Sequence, residues 1–152
     1  MKKTVFFAAL SVVLLSAVLL VSCGGGKTAA ADTSAPYHIG ICTGTVSQSE
    51  DDLRGAEELI ARYGKVSDGG VIQHITYPDN FMDQQEVTIT QIVALADDPK
   101  MKAIIVNQAI PGTAEAFKRV KEKRPDIILL AGEPHEDPLV IQGSADLAIS
   151  AD

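Results

Sequence analysis

Between residues 37 and 150, short apolar runs alternate with longer stretches in which apolar residues recur every three or four positions. An unbroken apolar run of four to seven residues suits a buried strand, and a period near 3.6 suits a helix packed along one side. Strands separated by helices cannot close as hairpins. Each needs a crossover, which makes the sheet parallel and puts helices on its faces. The expected fold class is therefore α/β, a doubly wound parallel sheet forming one Rossmann-like lobe.

The expected strands are "YHIGIC" (37–42), "VIQHITY" (71–77), "AIIVN" (103–107) and "IILLAG" (127–132), with "ADLAIS" (145–150) as a fifth. The expected helices span 49–64, 83–99 and 113–125. The first carries Leu53, Ala56, Ile60 and Tyr63 on one face, the second Ile89, Ile92, Val93 and Ala96, the third Ala114, Phe117 and Val120. Ser49 with Asp52, and Asp83 with Glu86, have the spacing of capping boxes. Gly64 suits the end of the first helix and Pro99 the end of the second. The third and fourth strands are apolar throughout, as in central strands covered on both faces. The second interleaves Gln73, His74 and Thr76 with apolar residues, as at an edge. An edge second strand fits the order 2-1-3-4-5, with right-handed crossovers.

In such sheets ligands sit outside the carboxyl ends of the strands. Four loops end there: "CTGTVSQSE" (42–50), "PDNFMD" (78–83), "NQAIPGT" (107–113) and "EPHEDP" (133–138). They supply candidate ligand contacts at Thr43, Thr45, Ser47, Gln48, Phe81, Asn107, Gln108, Glu133 and His135. Hydroxyls, carboxamides, an aromatic ring, a carboxylate and an imidazole can hydrogen-bond and stack against a small polar molecule. The same residues also have structural roles open to them. Hydroxyls satisfy turns and caps, buried amides bond to the main chain, and Phe81 can fold under its loop. His38 and His74 read as structural, and Cys42, in an apolar strand, as a small buried hydrophobe.

Enzyme signatures are missing. There is no G-x-x-x-x-G-K-[ST] and no G-x-G-x-x-G. Asn107 ends the third strand where a receiver domain needs an Asp. Thr43-Gly44-Thr45 resembles part of a flavodoxin phosphate loop, but Ile41 and Val46 stand where hydroxyls belong. Glu133, His135, Glu136 and Asp137 are neighbours on one loop without distant ligands to complete a metal site. No persuasive Ser-His-Asp set exists. The expectation is no enzyme and no cofactor.

The amino terminus has a different character. Lys2 and Lys3 precede an apolar stretch, Val5 to Leu20, which ends in "LVSC" at Cys23 and then three glycines. This is the layout of a secretory signal. The "Leu20-Val21-Ser22-Cys23" ending resembles the lipobox of bacterial lipoproteins. That resemblance implies a signal peptide over 1–22, fatty chains such as palmitate on Cys23, and an extracytoplasmic, membrane-anchored product in the cell envelope. Residues 23–36 then read as the lipidated cysteine and a flexible tether, and 37–152 as the lobe. Removing 22 residues leaves 130, enough for one domain. It also removes Lys2 and Lys3, taking the formal charge from −7 to −9. So acidic a surface repels phosphate backbones, and nucleic acid is not an expected partner.

The lipobox, the tether and the start "YHIGICTGTVSQSEDDLRGAEELIARYG" together resemble the type I periplasmic-binding-protein fold, within an uncharacterised group of bacterial lipoproteins. "MKAIIVNQAIPGTAEAFKRVKEKRPDIILLAG" resembles the third and fourth strand region of that family's amino-terminal lobe. The resemblance implies a solute-binding protein for a sugar, nucleoside or amino acid-like ligand, serving a transporter permease or a sensor. It also implies a second lobe; residues 37–152 then read either as the first lobe of a longer two-lobed clamp or as a lobe that works alone. A protein-interaction module retaining the same fold is the alternative.

Overall fold

The computed structural model describes residues 34–150. The expected signal peptide, Cys23 and most of the tether lie outside these residues, as do Ala151 and Asp152. Five strands follow the order expected: β1 His38–Thr43, β2 Ile72–Thr76, β3 Met101–Val106, β4 Ile128–Gly132 and β5 Leu147–Ile149. All neighbouring pairs are parallel and the sheet runs β2-β1-β3-β4-β5. The helices are α1 Val46–Tyr63, α2 Gln85–Leu95, α3 Thr113–Lys123 and a short α4 Pro138–Gln142.

Parallel register sorts the side chains between the two faces. Gly40 aligns with Ile104 and Ile104 with Leu129. This face packs on α2 and α3 and makes the larger core: Ile92, Phe117, Val120, Ile104, Val106 and Leu129 are all fully buried. Ile141 brings α4 onto the same side. Each such side chain contributes roughly 1.5–3 kcal/mol. Gly40 lets α2 approach closely, because a Cβ there would lie 2.9 Å from Leu95 Cδ1.

The opposite face carries Ile39 and Ile41, Ala103 and Ile105, Ile128 and Leu130, and Leu147, all in register. Ile149, two residues beyond Leu147, shares it. Helix α1 covers the β2–β1 half through Ala56 and Ile60. The β4–β5 half is open: Ile128 is 59% exposed, Leu147 51% and Ile149 50%. The expectation that β4 is covered on both faces is therefore corrected, while β3, with Ala103 and Ile105 half-buried on this side, is covered only in part. The reason is topological. Right-handed crossovers that step one way along a sheet place their helices on one face, and those that step back use the other. Only β1-to-β2 steps back here, so one helix serves the second face.

Boundaries shift in places. Helix α1 begins three residues before Ser49, and α2 is confined to Gln85–Leu95. The expected Asp83–Glu86 box does not form; Gln84 is the N-cap and makes no side-chain cap bond. A 3-10 turn at Val66–Asp68 and helix α4 were not foreseen.

A cross-linked polar rim at the strand ends

At the carboxyl end of β1 the chain leaves through Gly44 into α1, whose path is broken at Ser49 (φ −158°, ψ 88°). The break gives Ser49 the extended backbone of an N-cap inside a continuous helical stretch. Ser49 Oγ donates to Asp52 Oδ2 at 2.5 Å. Asp52 Oδ1 accepts from Asn107 Nδ2 at 2.6 Å. Next to Asn107, Gln108 Nε2 donates to Ser49 Oγ and its Oε1 accepts from Tyr77 Oη, both at 3.2 Å. Five side chains from three loops thus form one chain of bonds. Burial pushes the Tyr77 hydroxyl up to about 12, with Cys42 and Asp52 adding to the shift. It is therefore a donor throughout the physiological range.

Beside it lies a second cluster. Thr45 Oγ1 and Ser47 Oγ donate to Asp79 Oδ1, the latter at 2.7 Å, and Gln48 Nε2 donates to the Asp79 carbonyl at 2.8 Å. The two hydroxyls, Thr45 first, hold the Asp79 carboxyl below the usual range. Phe81 sits half-buried with its ring 5.4 Å from that of Tyr77, nearly edge-on at 71°.

The third and fourth loops meet through the main chain. Ala109 N donates to Gly132 O at 2.7 Å and His135 N to Ala109 O at 2.9 Å. Asn107 Oδ1 occupies the space above Gly132, where a Cβ would lie only 2.5 Å away. Glu136 closes the corner by accepting from Gly112 N and Ala114 N, both at 2.8 Å. A carboxylate there satisfies orphan donors and the positive end of the α3 dipole. Among the described residues, Gln108 (φ 52°) and Glu133 (φ 39°) are the non-glycine residues with left-handed backbone.

The structure thus draws Thr45, Ser47, Gln48, Asn107 and Gln108 into side-chain networks and sets Phe81 against one of them. Glu133 and His135 are exposed, and main-chain bonds together with the Glu136 carboxylate bring their loop to the others. Thr43 faces inward, 1% exposed, with Oγ1 donating to Gly44 O and accepting from His74 Nε2 at 2.9 Å. Sequence reasoning passed over Asp52, Asp79, Tyr77 and Glu136 as rim members. Ser49 and Asp52 were legible as a capping pair, but not as a bridge to Asn107.

A groove of about 280 Å³ lies beside α1, lined by Thr43, Asp52 and Asn107 at the rim and by Ile41, Leu59 and Ile105 below. A cavity of about 690 Å³ lies elsewhere, between α3 and α4 among Lys118, Lys121 and Glu122. Its walls mix charged side chains with Ala114, Val140, Gly143 and Ser144, and of the rim residues named above only Glu136 reaches it. Among the described residues no group of three or more His, Cys, Asp or Glu is placed to hold a metal ion, and no helix is long and apolar enough to cross a membrane. Cys42 is fully buried and free, with burial pushing its thiol up to about 12.

Residues 37–152 match a family model described as "Protein of unknown function (DUF3798)". An uncharacterized protein of Treponema pallidum (strain Nichols) is 44% identical over 156 residues, covering 99% of this chain and 70% of its own length. A second uncharacterized protein of that organism is 51% identical over 61 residues, 40% of this chain and 28% of its own length. Among solved structures, one described as a "Putative transcriptional regulator" from Clostridium difficile 630 superposes with a TM-score of 0.66 at 28% identity, over 74% of this chain. The chain spans about a third of that protein, 33% of its length.

Proposed function

The chain belongs to the DUF3798 family, and we propose that it is an extracytoplasmic solute-binding lipoprotein of the type I periplasmic-binding-protein kind. It holds a small polar molecule at the strand carboxyl ends for uptake or sensing, and is tethered to the membrane by fatty chains on Cys23. The observation that carries this reading is the rim network of Tyr77, Gln108, Ser49, Asp52 and Asn107. It converges from three loops at the place where open α/β sheets bind ligands. It offers donors and acceptors in fixed positions, which is how polar solutes are recognised. The regulator description belongs to a protein of which this chain covers only 33%. In this chain a formal charge of −7 disfavours nucleic acid.

The test is a thermal-shift and calorimetric panel of sugars, nucleosides and amino acids on the full chain in detergent. At least one class is expected to raise the melting temperature saturably, and Asn107→Ala to lower its affinity up to about tenfold, the scale of a lost hydrogen bond of about 0.5–1.5 kcal/mol. No shift with any class overturns solute binding. Labelled palmitate entering the wild type but not Cys23→Ala checks the anchor.

A second reading, an envelope module that binds another protein, is favoured by the open β4–β5 face with Ile128, Leu147 and Ile149. Capture of a defined envelope protein that is lost in Ile128→Lys, together with a silent solute panel, would select it.

A further inference from the structure

Helix α1 has two starts. Its first turn, Val46–Gln48, is held by Gln48 N and Ser49 N donating to Thr45 O at 3.1 and 2.9 Å. Its body begins after Ser49, where the backbone is extended. The two pieces are fastened to different parts of the rim. Ser47 and Gln48 of the first turn bond to Asp79 of the second loop. The body is fastened through Asp52 to Asn107. Ser49 is the joint between them, and two side chains hold it out of the helix: Asp52, 2.5 Å away, and Gln108, 3.2 Å away.

The Gln108 contacts differ in kind from the rest. Both of its carboxamide bonds are 3.2 Å long, against 2.6 Å for Asn107 to Asp52. Its backbone is left-handed at φ 52°, a conformation disfavoured for a residue with a Cβ. A long, weak pair of bonds on a strained residue is the part of the network most readily exchanged for a ligand's own donors and acceptors.

We propose that Gln108 senses the solute and Ser49 is the joint it operates. When a ligand takes the Gln108 carboxamide, Ser49 loses one of its two restraints, residue 49 joins the helix, and the first turn swings with the 78–83 loop onto the ligand. The sensing half rests on the solute-binding reading; the joint does not. A ligand-free experiment therefore tests the joint separately.

The readout is the residue 49 13Cα resonance in the full chain, which moves downfield when that residue becomes helical. In the wild type it lies at an extended value. In Gln108→Met, which keeps bulk without either bond, it moves toward the helical value. In Ser49→Ala the substituted position gives a fully helical shift. A residue 49 that stays extended in both variants overturns the joint. Glucose, adenosine and leucine, together with any panel member that raises the melting temperature, are then titrated. A binder is expected to move Ser49 of the wild type in the same direction. A binder that leaves Ser49 unmoved overturns the sensing role and leaves solute binding intact. Absence of any binder removes both sensing and the solute reading, while the variants still decide the joint.

Discussion

Gly132 and His74 show how much single positions carry at this rim. At Gly132 only a hydrogen leaves room for Asn107, whose Oδ1 would meet a Cβ at 2.5 Å. In Gly132→Ala, Asn107 must swing away from Asp52. The expected loss is about 1–3 kcal/mol, read as a lower urea midpoint at unchanged slope. Combined with Asn107→Ala, the loss is expected to be less than additive, since the clash then has no partner. His74 is half-buried and donates to Thr43 Oγ1, whose own proton goes to Gly44 O. Burial lowers its pKa, outweighing the nearby Glu57. The unfolded chain therefore binds a proton more readily than the folded one. Stability contributed by neutral His74 is fully present above its unfolded pKa, about 6.5, and is lost as pH falls from there through the lowered folded value. His74→Gln keeps a donor for Thr43 without the titration. The expected result is a flatter melting temperature between pH 7 and 5, followed by calorimetry.

At the scale of elements, the two faces of the sheet differ in what a truncation costs. Ile104 lies in the fully buried core under α2 and α3, while Ile128 is 59% exposed beyond the reach of α1. Ile104→Ala is expected to lose about 2–5 kcal/mol, and Ile128→Ala to stay within about 0.5 kcal/mol of wild type, both by urea titration. The ends of α2 and α3 are tied together by Arg124, which donates to Asp98 O and Met101 O at 3.2 Å. That tie sets α3 against the start of β3. On the other side of the rim, Asp79 joins the first turn of α1 to the second loop. Its pKa is lowered by Thr45 and Ser47. The bond is therefore present above the ordinary carboxylate pKa and lost as pH falls through the lowered one. A carboxyl-carbon NMR titration is expected to place Asp79 below the ordinary aspartate value, and Thr45→Ala to raise it.

At the scale of the molecule, the open β4–β5 face presents three exposed apolar side chains among the described residues. Ile128, Leu147 and Ile149 expose half or more of their area beside Ile105 and Leu130. A parallel sheet is ordinarily covered on both sides, and a contiguous exposed apolar patch binds what is available. The folded chain is expected to enhance the fluorescence of an apolar dye such as anilinonaphthalene sulfonate. Ile128→Lys with Leu147→Lys should abolish most of that signal without lowering the urea midpoint. Persistence of the signal would place the dye elsewhere, the groove along Leu59 and Tyr63 being the first alternative.

The class, the strand order and the location of the four loops were legible in the amino-acid pattern. These follow from local facts: the period of apolar residues, the length of each run, and the polar interleaving of Gln73 and His74 that marks an edge strand. Chirality then leaves few ways to wind such a chain. Tertiary structure alone decided which loop residues meet. Asp52 is 55 residues from Asn107, and Ser49 is 59 from Gln108; no periodicity encodes such a pairing. It decided that Thr43 turns inward toward His74 while Ser47 turns out to Asp79. It also decided that β4, apolar on both sides, is covered on only one, and β3 only partly on the second. An apolar strand records that both faces tolerate burial, but the direction of each crossover dictates which face receives a helix.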